Sequence, residues 1–511
     1  MCFDGSRQGK NSTRDRSGAN LATMELEAYL KVADQFKLGD LVTEQPHPET
    51  AGLAGLAQRD LHTAIDTFHR VDRLALGRLG DRLGPLPELV ESMRRTLRSG
   101  GRIFLAGCGA TGRLALSIET IARERWLDNP GTDRVIAFMA GGDTALIRSL
   151  EAFEDYPEYG RRQLHELGFG PRDLLLAITE GGETPFVIGA CEAAAELSGE
   201  APWFLFCNPT ERLRSTVARS RAVLESPRIH PFCLEVGPMA LSGSTRLQAA
   251  TVQMLVAGAA LGEALGAEPA ETLVREFARI INSLDFAFAA PFIEAEATAL
   301  GGGGLILYQT DTYGITVLTD TTERSPTFSI PPFENRHRAG DALSPWYLSL
   351  PGCPGSKAAW RALLHRSPRT LEWPELKGQG SLETLLGHDI SAAAPGWRKT
   401  RHPDRRQFPF LIHRPGPVLE FAGLSHSLGM EKAPLLLRHL VLKCFLNLHS
   451  TLVMGRMGRF ESNLMTHVRP SNYKLVDRAA RYLQEKSRQE KGRALPYREA
   501  VAAVFAGIRR Q

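Results

Sequence analysis

The 511-residue sequence is short of charge imbalance: its formal net charge is +4, with 23% of residues charged. A balance that small gives no case for nucleic-acid binding. No basic run is interleaved with aromatics, as single-strand binding requires. The two Arg-rich stretches, RHPDRRQF and HRPGPVLEF, read as solvated loops. No uninterrupted apolar segment approaches about 20 residues, so no membrane helix is expected. The polar N-terminus, MCFDGSRQGKNSTRDRSGAN, lacks the apolar core of a signal peptide. The seven cysteines, at positions 2, 108, 191, 207, 233, 353 and 444, include no CxxC pair. Several lie within apolar runs, which predicts buried thiols and a reducing, cytoplasmic location. Cys108, in a glycine loop, reads as a small filler rather than a reactive thiol. No metal or organic cofactor is called for.

What is present is an ordinary soluble composition, with 43% hydrophobic residues, and a length that suits two or three domains. The most informative stretch is RIFLAGCGATGR, Arg102–Arg113. A short apolar run leads into Gly107, Gly109 and Gly112 around the single hydroxyl of Thr111, with Arg113 directly after. LALSIETIARERW then has helical spacing. A strand, glycine loop and helix in this order aim backbone N–H groups and the helix's positive end at an anion, usually a phosphate. The plainer alternative is a tight βα turn. Gly107-x-Gly109-x-x-Gly112 also fits a dinucleotide fingerprint, but the acid that should end the next strand is missing and Asp143 comes too late. A second loop decides the matter. DLLLAI is followed by Thr179-Glu180-Gly181-Gly182-Glu183-Thr184, then by the helical FVIGACEAAAEL. Two hydroxyl-bearing glycine loops at strand ends suit one compact phosphate better than a dinucleotide.

Along the chain, residues 1–24 read as a disordered tail. Residues 25–265 hold N-terminal helices and a first α/β domain, its strands RIFLAG, VIAFMA, DLLLAI, WFLFCN and FCLEV alternating with helices. That alternation predicts a doubly wound parallel sheet. Over 238–265, PMALSGSTRLQAATVQMLVAGAALGEAL starts with a Ser/Thr-rich turn and continues as an apolar helix that Ser242 or Ser244 caps, with Thr245 beside them. Arg246 in its first turn opposes the macrodipole and hints at a specific anion or carboxylate partner, a surface arginine being the alternative. Residues 266–431 form a second, degenerate α/β domain. Placing Gly314 on Gly112 brings Leu307 onto Leu105, an internal repeat at domain scale. Residues 375–405 read as loop, and 432–511 as a helical end.

These stretches carry a family resemblance. LVTEQPHPET, GCGATGRL, AGGDTALIRSLEAFED, ITEGGETPFVIG, GPMALSGSTRLQAATVQ and NLMTHVRPSNYKLVDRA together resemble the sugar isomerase (SIS) superfamily. Within it they are similar to the N-acetylmuramic acid 6-phosphate etherases. In the etherases one helix joins the STR motif to a segment resembling HSTLVMGRMGRFESNLMTHV; here residues 266–431 intervene. The layout therefore resembles the glucokinase regulatory proteins, two SIS domains closed by a helical lid. It implies an internal pseudo-dimer, which lets one chain act as a monomer.

The resemblance also implies site residues. The etherases carry an acid nine positions past the last glycine of the first loop. That position is Ile121 in the first half and Glu323 in the second, within LTDTTERSPTF. Their second acid falls on Glu154 in SLEAFED. One composite site follows: the first half's phosphate loops and Glu154 facing Glu323. Asn472 and Lys474, in PSNYKL, match positions expected to reach the sugar or phosphate. Elimination of a C3 ether needs a proton taken from C2 and one given to the leaving oxygen, which two carboxyls do without cofactor. Glu154 is assigned as base and Glu323 as acid. Their plainer readings are a solvated acid in a charged run and a helix-end acid paired with Arg324. Gly181 stands where SIS loops usually carry serine, and Glu183 where the etherases carry arginine nearby. The GET ending resembles the glucosamine-6-phosphate synthases, and Glu183 is expected to read a sugar hydroxyl or amine. The expected ligand is a hexose or amino-sugar phosphate, and the expected activity a cofactor-independent lyase or isomerase. The alternative is a non-catalytic sugar-phosphate sensor that controls a protein partner.

Overall fold

The computed structural model describes residues 26–36, 38–129, 131–150, 153–467, 470 and 473–508. The tail expected over 1–24 lies outside them. Contacts divide the chain into two units: the described residues of 1–37 and 470–511 form one, and those of 38–469 the other.

In the large unit, helix α1 (Leu61–Leu79) starts at Asp60, whose carboxylate accepts from the Thr63 N–H at 3.1 Å, a standard N-cap. Helix α2 (Leu86–Arg98) leads into β1 (Ile103–Gly107) and α3 (Ala110–Arg125). Then come β2 (Val135–Met139), β3 (Leu174–Ile178), α4 (Pro185–Leu197), β4 (Trp203–Phe206) and β5 (His230–Cys233). These are the five strands expected. They pair in parallel in the order β2-β1-β3-β4-β5, with Leu105 opposite Ala137 and Leu176. Every residue of β1 to β4 is buried, because a parallel sheet is covered by helices on both faces. The order reverses between β1 and β3, so the loops after those strands open onto one crevice. Gly112 is required there: a Cβ would lie 2.4 Å from Met139 Cβ, so a side chain would hold α3 off the sheet.

Helix α5 (Gln248–Ala264) is buried from Gln248 to Gly262. It begins a few residues past the expected caps, because the Ser/Thr-rich turn runs on to Leu247. Neither serine caps it: Ser242 Oγ donates to the Glu44 carbonyl at 2.8 Å, and Leu247 is the N-cap residue.

Helix α6 (Ala289–Gly301) introduces the second sheet: β6 (Leu305–Gln309), α7 (Gly314–Phe328), β7 (Trp346–Ser349), α8 (Ser356–Leu364), β8 (Gln407–His413), β9 (Val418–Phe421) and β10 (Leu424–Ser427). Its order, β7-β6-β8-β9-β10, repeats that of the first sheet position for position. Only β7, β6 and β8 are parallel; β9 and β10 continue as an antiparallel meander. The second sheet thus keeps a parallel core with an antiparallel edge, as suits the degenerate α/β domain expected there. The reading of HRPGPVLEF as a solvated loop is corrected, since it supplies the end of β8 and all of β9, whereas RHPDRRQF is loop from His402 up to Gln407 and Phe408, which open β8. Those strands bury only alternate residues, and the arginines around them mask the period. The loop-like 375–405 also holds two helices, Leu382–Gly387 and Ala394–Arg401.

Residues 366–373 leave the second sheet and join the first. Leu371 and Trp373 belong to the first sheet's hydrophobic core. Arg366 and Arg369 enclose Glu119 and Asp143 at 2.6–3.1 Å. Helix α9 (Leu435–Arg456), expected to open a C-terminal lid, lies in the large unit and is buried on every side between Leu436 and Gly455. That all-round burial marks a core helix. No helix among the described residues is long and apolar enough to cross a membrane.

In the small unit, Leu26–Val32, α10 (Tyr473–Lys491) and α11 (Tyr497–Ile508) enclose Tyr29, Val476, Ala480, Val501 and Phe505. Asp477 accepts from the Tyr497 hydroxyl at 2.8 Å.

Candidate functional site

The β1–α3 loop is closed on itself. Gly109 has φ +55°, and the Thr111 hydroxyl bridges the Cys108 N–H and carbonyl, both at 2.9 Å. The expectation that Thr111 donates to phosphate is thereby redirected, because its proton is committed to the loop it shapes.

The same segment touches both candidate acids. Cys108 Sγ lies 3.5 Å from Glu154 Oε2. Five residues on, Arg113 Nη1 donates to Glu323 Oε1 at 2.6 Å, while its remaining N–H groups meet the carbonyls of Ala145 and Leu146 and the Thr322 hydroxyl. The structure therefore brings Glu154 from the first half and Glu323 from the second to one loop. Glu323 is not paired with Arg324. Arg324 turns away to Asp320 and Glu296. Arg113 takes one oxygen of Glu323 and leaves Oε2 without a hydrogen bond among the described residues. Glu154 is half-buried and set by its neighbour: Phe153 stacks on Trp373 with ring centroids 5.4 Å apart.

The second glycine loop lies beside the first. Thr179 Oγ1 accepts from the Gly182 N–H at 3.2 Å and bonds Thr184 Oγ1 at 2.9 Å. Asn208 donates to the Gly181 carbonyl at 3.0 Å. Glu183 is buried against Arg219, its carboxylate 2.6 Å from the guanidinium. The charge that Glu183 brings to an anion site is thus cancelled locally, so it is held as an ion-pair partner rather than presented to a sugar. Arg219 was not legible as a partner, since it follows Glu183 by 36 residues.

Gln253 of α5 donates to the carbonyls of Thr179 and Leu205, both at 3.2 Å, and so seats the start of α5 over the ends of β3 and β4. Just before it, Ser244 is buried and its hydroxyl has no partner among the described residues; Thr245 accompanies it. A buried, unanswered hydroxyl costs about 1–3 kcal/mol, and such groups in native proteins commonly await a ligand or water. Arg246 is not in a helical turn and does not face solvent. Nη1 donates to Asp320 Oδ1 at 2.9 Å and Nη2 to Ser450 and Thr451, while Nε has no partner.

Asp320 also receives Arg324, Asn447 and Ser450. Arg324 continues to Glu296, which His449 and Trp346 contact at 2.9 and 2.7 Å. Burial pushes Glu296 up, but His449, Arg324 and Trp346 outweigh it and bring its pKa down to about 2.

Asp143, the late acid of the dinucleotide reading, is bound by Arg366 and the Arg369 N–H and has a structural role. Lys474 is half-buried in the first turn of α10, in the small unit. Asn472 lies outside the described residues. Among the described residues no group of three or more His, Cys, Asp or Glu gathers at metal-binding distance.

A doubly wound sheet with two hydroxyl-bearing glycine loops at its switch point defines a doubly wound α/β protein, a class whose crevice at that point is the usual ligand position. The comparisons name the family. Residues 86–195 match the glucokinase regulatory protein N-terminal SIS domain. The N-acetylmuramic acid 6-phosphate etherase of Enterobacter sp. (strain 638) is 34% identical over 221 residues, 43% of this chain and 69% of that protein. That of Synechococcus elongatus is 34% identical over 218 residues, and this chain covers 66% of its length, just under two thirds. The chain belongs to the SIS superfamily. A solved glucosamine-6-phosphate deaminase from Thermotoga maritima is 11% identical, with 76% of this chain and 96% of that one covered at a TM-score of 0.35.

Proposed function

We propose that the crevice at the first sheet's switch point binds a hexose or amino-sugar 6-phosphate, and that the chain is a cofactor-independent lyase or isomerase acting on it. One observation carries this reading: Glu154 and Glu323, from different halves, both contact the segment Cys108–Arg113. The glycine loops and the positive end of α3 would take the phosphate. Ser244, buried and unanswered, would donate to it or to the sugar. Glu154 acts as base at C2 and Glu323 as acid at the C3 leaving oxygen; in an isomerase the same pair moves protons between C1 and C2. The etherase relatives favour the first chemistry. Lys474 is assigned a contact to sugar or phosphate by its motif alone.

A second reading is a non-catalytic sugar-phosphate sensor acting on a protein partner. The ion pairs favour it, since Glu323, Glu183 and Arg246 are each already paired within the chain. The match to a regulatory protein's domain points the same way.

The test is a thermal-shift screen of hexose, hexosamine and N-acetylmuramic 6-phosphates on wild type and Ser244→Ala, followed by proton NMR of each stabilising sugar in deuterated water. A stabilising ligand raises the midpoint by mass action. Stabilisation that Ser244→Ala weakens, with exchange or loss of the C2 proton that Glu154→Gln slows by about 100-fold or more, establishes the enzyme. Stabilisation with an unchanged C2 proton establishes the sensor. No stabilisation by any sugar phosphate removes both.

A further inference from the structure

The second sheet has a switch point of its own. Because β7-β6-β8 repeats β2-β1-β3, the loops after β6 and β8 correspond to the two glycine loops of the first sheet. A cavity of about 890 Å³ opens there. Five segments line it: Leu265–Glu268, after α5, and four that are counterparts of first-site segments. Thr312 and Tyr313 follow β6, as Cys108–Gly112 follow β1. Arg414 and Pro415 follow β8, as Thr179–Thr184 follow β3. Residues 432–434 precede α9, whose first turn adds Leu435 and Arg438, as 242–247 precede α5. Glu124–Trp126 end α3, one turn past Ile121, the position that Glu323 holds on α7.

The chemistry of this second crevice differs. Four cationic groups, Arg125, Arg414, Lys432 and Arg438, line it against two carboxylates, Glu124 and Glu268. Glu124 is already engaged by Arg414 at 3.4 Å and by His365 at 3.6 Å. Arg438 gives its N–H groups to the carbonyls of Ala433, Pro415 and Glu431 at 2.6–2.9 Å, which fix its position, and no carboxylate among the described residues pairs with it. No carboxylate pairs with Arg125 or Lys432 among the described residues. Behind the wall, His439 packs edge-on against Tyr313 with ring centroids 5.2 Å apart. Its Nδ1 meets Thr316 at 2.7 Å, and its Nε2 is buried without a partner.

We propose that this crevice is a second, separate binding site for a small phosphorylated molecule carrying at least two negative charges. Strand order places a crevice at this point, and the fixed guanidinium of Arg438 with Arg414 and Lys432 supplies charge-assisted donors for phosphate oxygens. The site lacks a counterpart to the Glu154–Glu323 pair on one glycine loop, so its role is binding rather than chemistry. It is independent of what the first crevice does.

The probe is inorganic pyrophosphate, titrated calorimetrically into the full chain at low salt. The variants are Arg414→Gln/Lys432→Gln, Lys432→Glu alone and, for the first crevice, Ser244→Ala. The expected result is saturable binding that the double variant weakens about tenfold or more. Lys432→Glu, at an exposed position, should weaken it in the same direction, and Ser244→Ala should leave it unchanged. Absence of binding to wild type overturns the proposal. So does binding that Lys432→Glu leaves intact, or binding that Ser244→Ala alone removes, which would put the anion in the first crevice. A failure of the sugar-phosphate screen with pyrophosphate binding preserved would count against the first-crevice reading only.

Discussion

The two sheets share one strand order and differ in what their switch points became. In the first, β1 and β3 end in glycine loops, and helices return the chain after each strand. In the second, β6 ends in Asp311-Thr312-Tyr313, and β8 turns directly into the hairpin partner β9. The first crevice gathers small residues, hydroxyls and two acids. The second gathers guanidinium groups around a cavity of about 890 Å³. A strand order can thus be inherited while the loops that carry chemistry diverge, because the order is set by apolar strands buried on the sheet and the loops carry little of that burden.

The junction of the halves should be the costliest place to break. Asp320→Ala leaves Arg246 buried without its carboxylate and strips Arg324 of one of two. Loss of one partner from a buried ion network costs about 3–5 kcal/mol, read as a fall in the urea midpoint. A loss within error would mean that the halves do not depend on this network. Next comes the first glycine loop. Gly112→Ala puts a methyl 2.4 Å from Met139 Cβ and should cost about 3 kcal/mol by the same readout.

Asp72 sharpens the picture of the helices behind the sheets. Burial pushes its carboxyl up to about 7, although Gln248 donates to Oδ1 at 2.7 Å; Oδ2 has no partner. A raised value means that the folded chain binds the proton more tightly. This contribution is complete below the ordinary carboxylate value and is lost as pH rises through about 7. Wild type should therefore lose about 2 kcal/mol relative to Asp72→Asn between pH of about 5 and about 7. Parallel pH profiles for the two proteins would contradict the buried, protonated assignment. The smallest effect belongs to the second switch point. A Cβ at Gly314 would meet only the tips of Leu363 and Leu350, at 2.9 and 3.0 Å. Flexible side-chain ends can yield, so Gly314→Ala should cost about 1 kcal/mol. If it matched Gly112→Ala, the second loop would be under the same constraint as the first.

Much of the first half was legible in sequence because its signals are local. An apolar run, a turn and a helical period within thirty residues specify a βα unit, and their repetition specifies the sheet, with glycine loops marking the units of β1 and β3. Glu154 and Glu323 could be named from motif spacing. Their meeting at Cys108–Arg113 could not be read from that spacing, since Glu323 follows Arg113 by 210 residues. The partners Arg219 and Trp373 were missed for the same reason: nothing local marks a surface-like arginine as the counter-ion of Glu183, or a tryptophan in the second half as part of the first core. The meander β8–β10 was missed because its buried period of two is interrupted by arginines at both ends.

By itself, then, the sequence determined the strand–loop–helix units, the buried strands and the glycine positions, since these follow from backbone geometry and from apolar surface leaving water over short distances. Only the tertiary structure decided which charges are neutralised. It gave Arg246 the carboxylate of Asp320 as its partner, tied Glu183 to Arg219, and, among the described residues, left Ser244 unanswered and Arg438 without a carboxylate. The reason is physical: a buried charge is stable only beside its opposite, and which opposite it finds depends on contacts that the chain makes hundreds of residues apart.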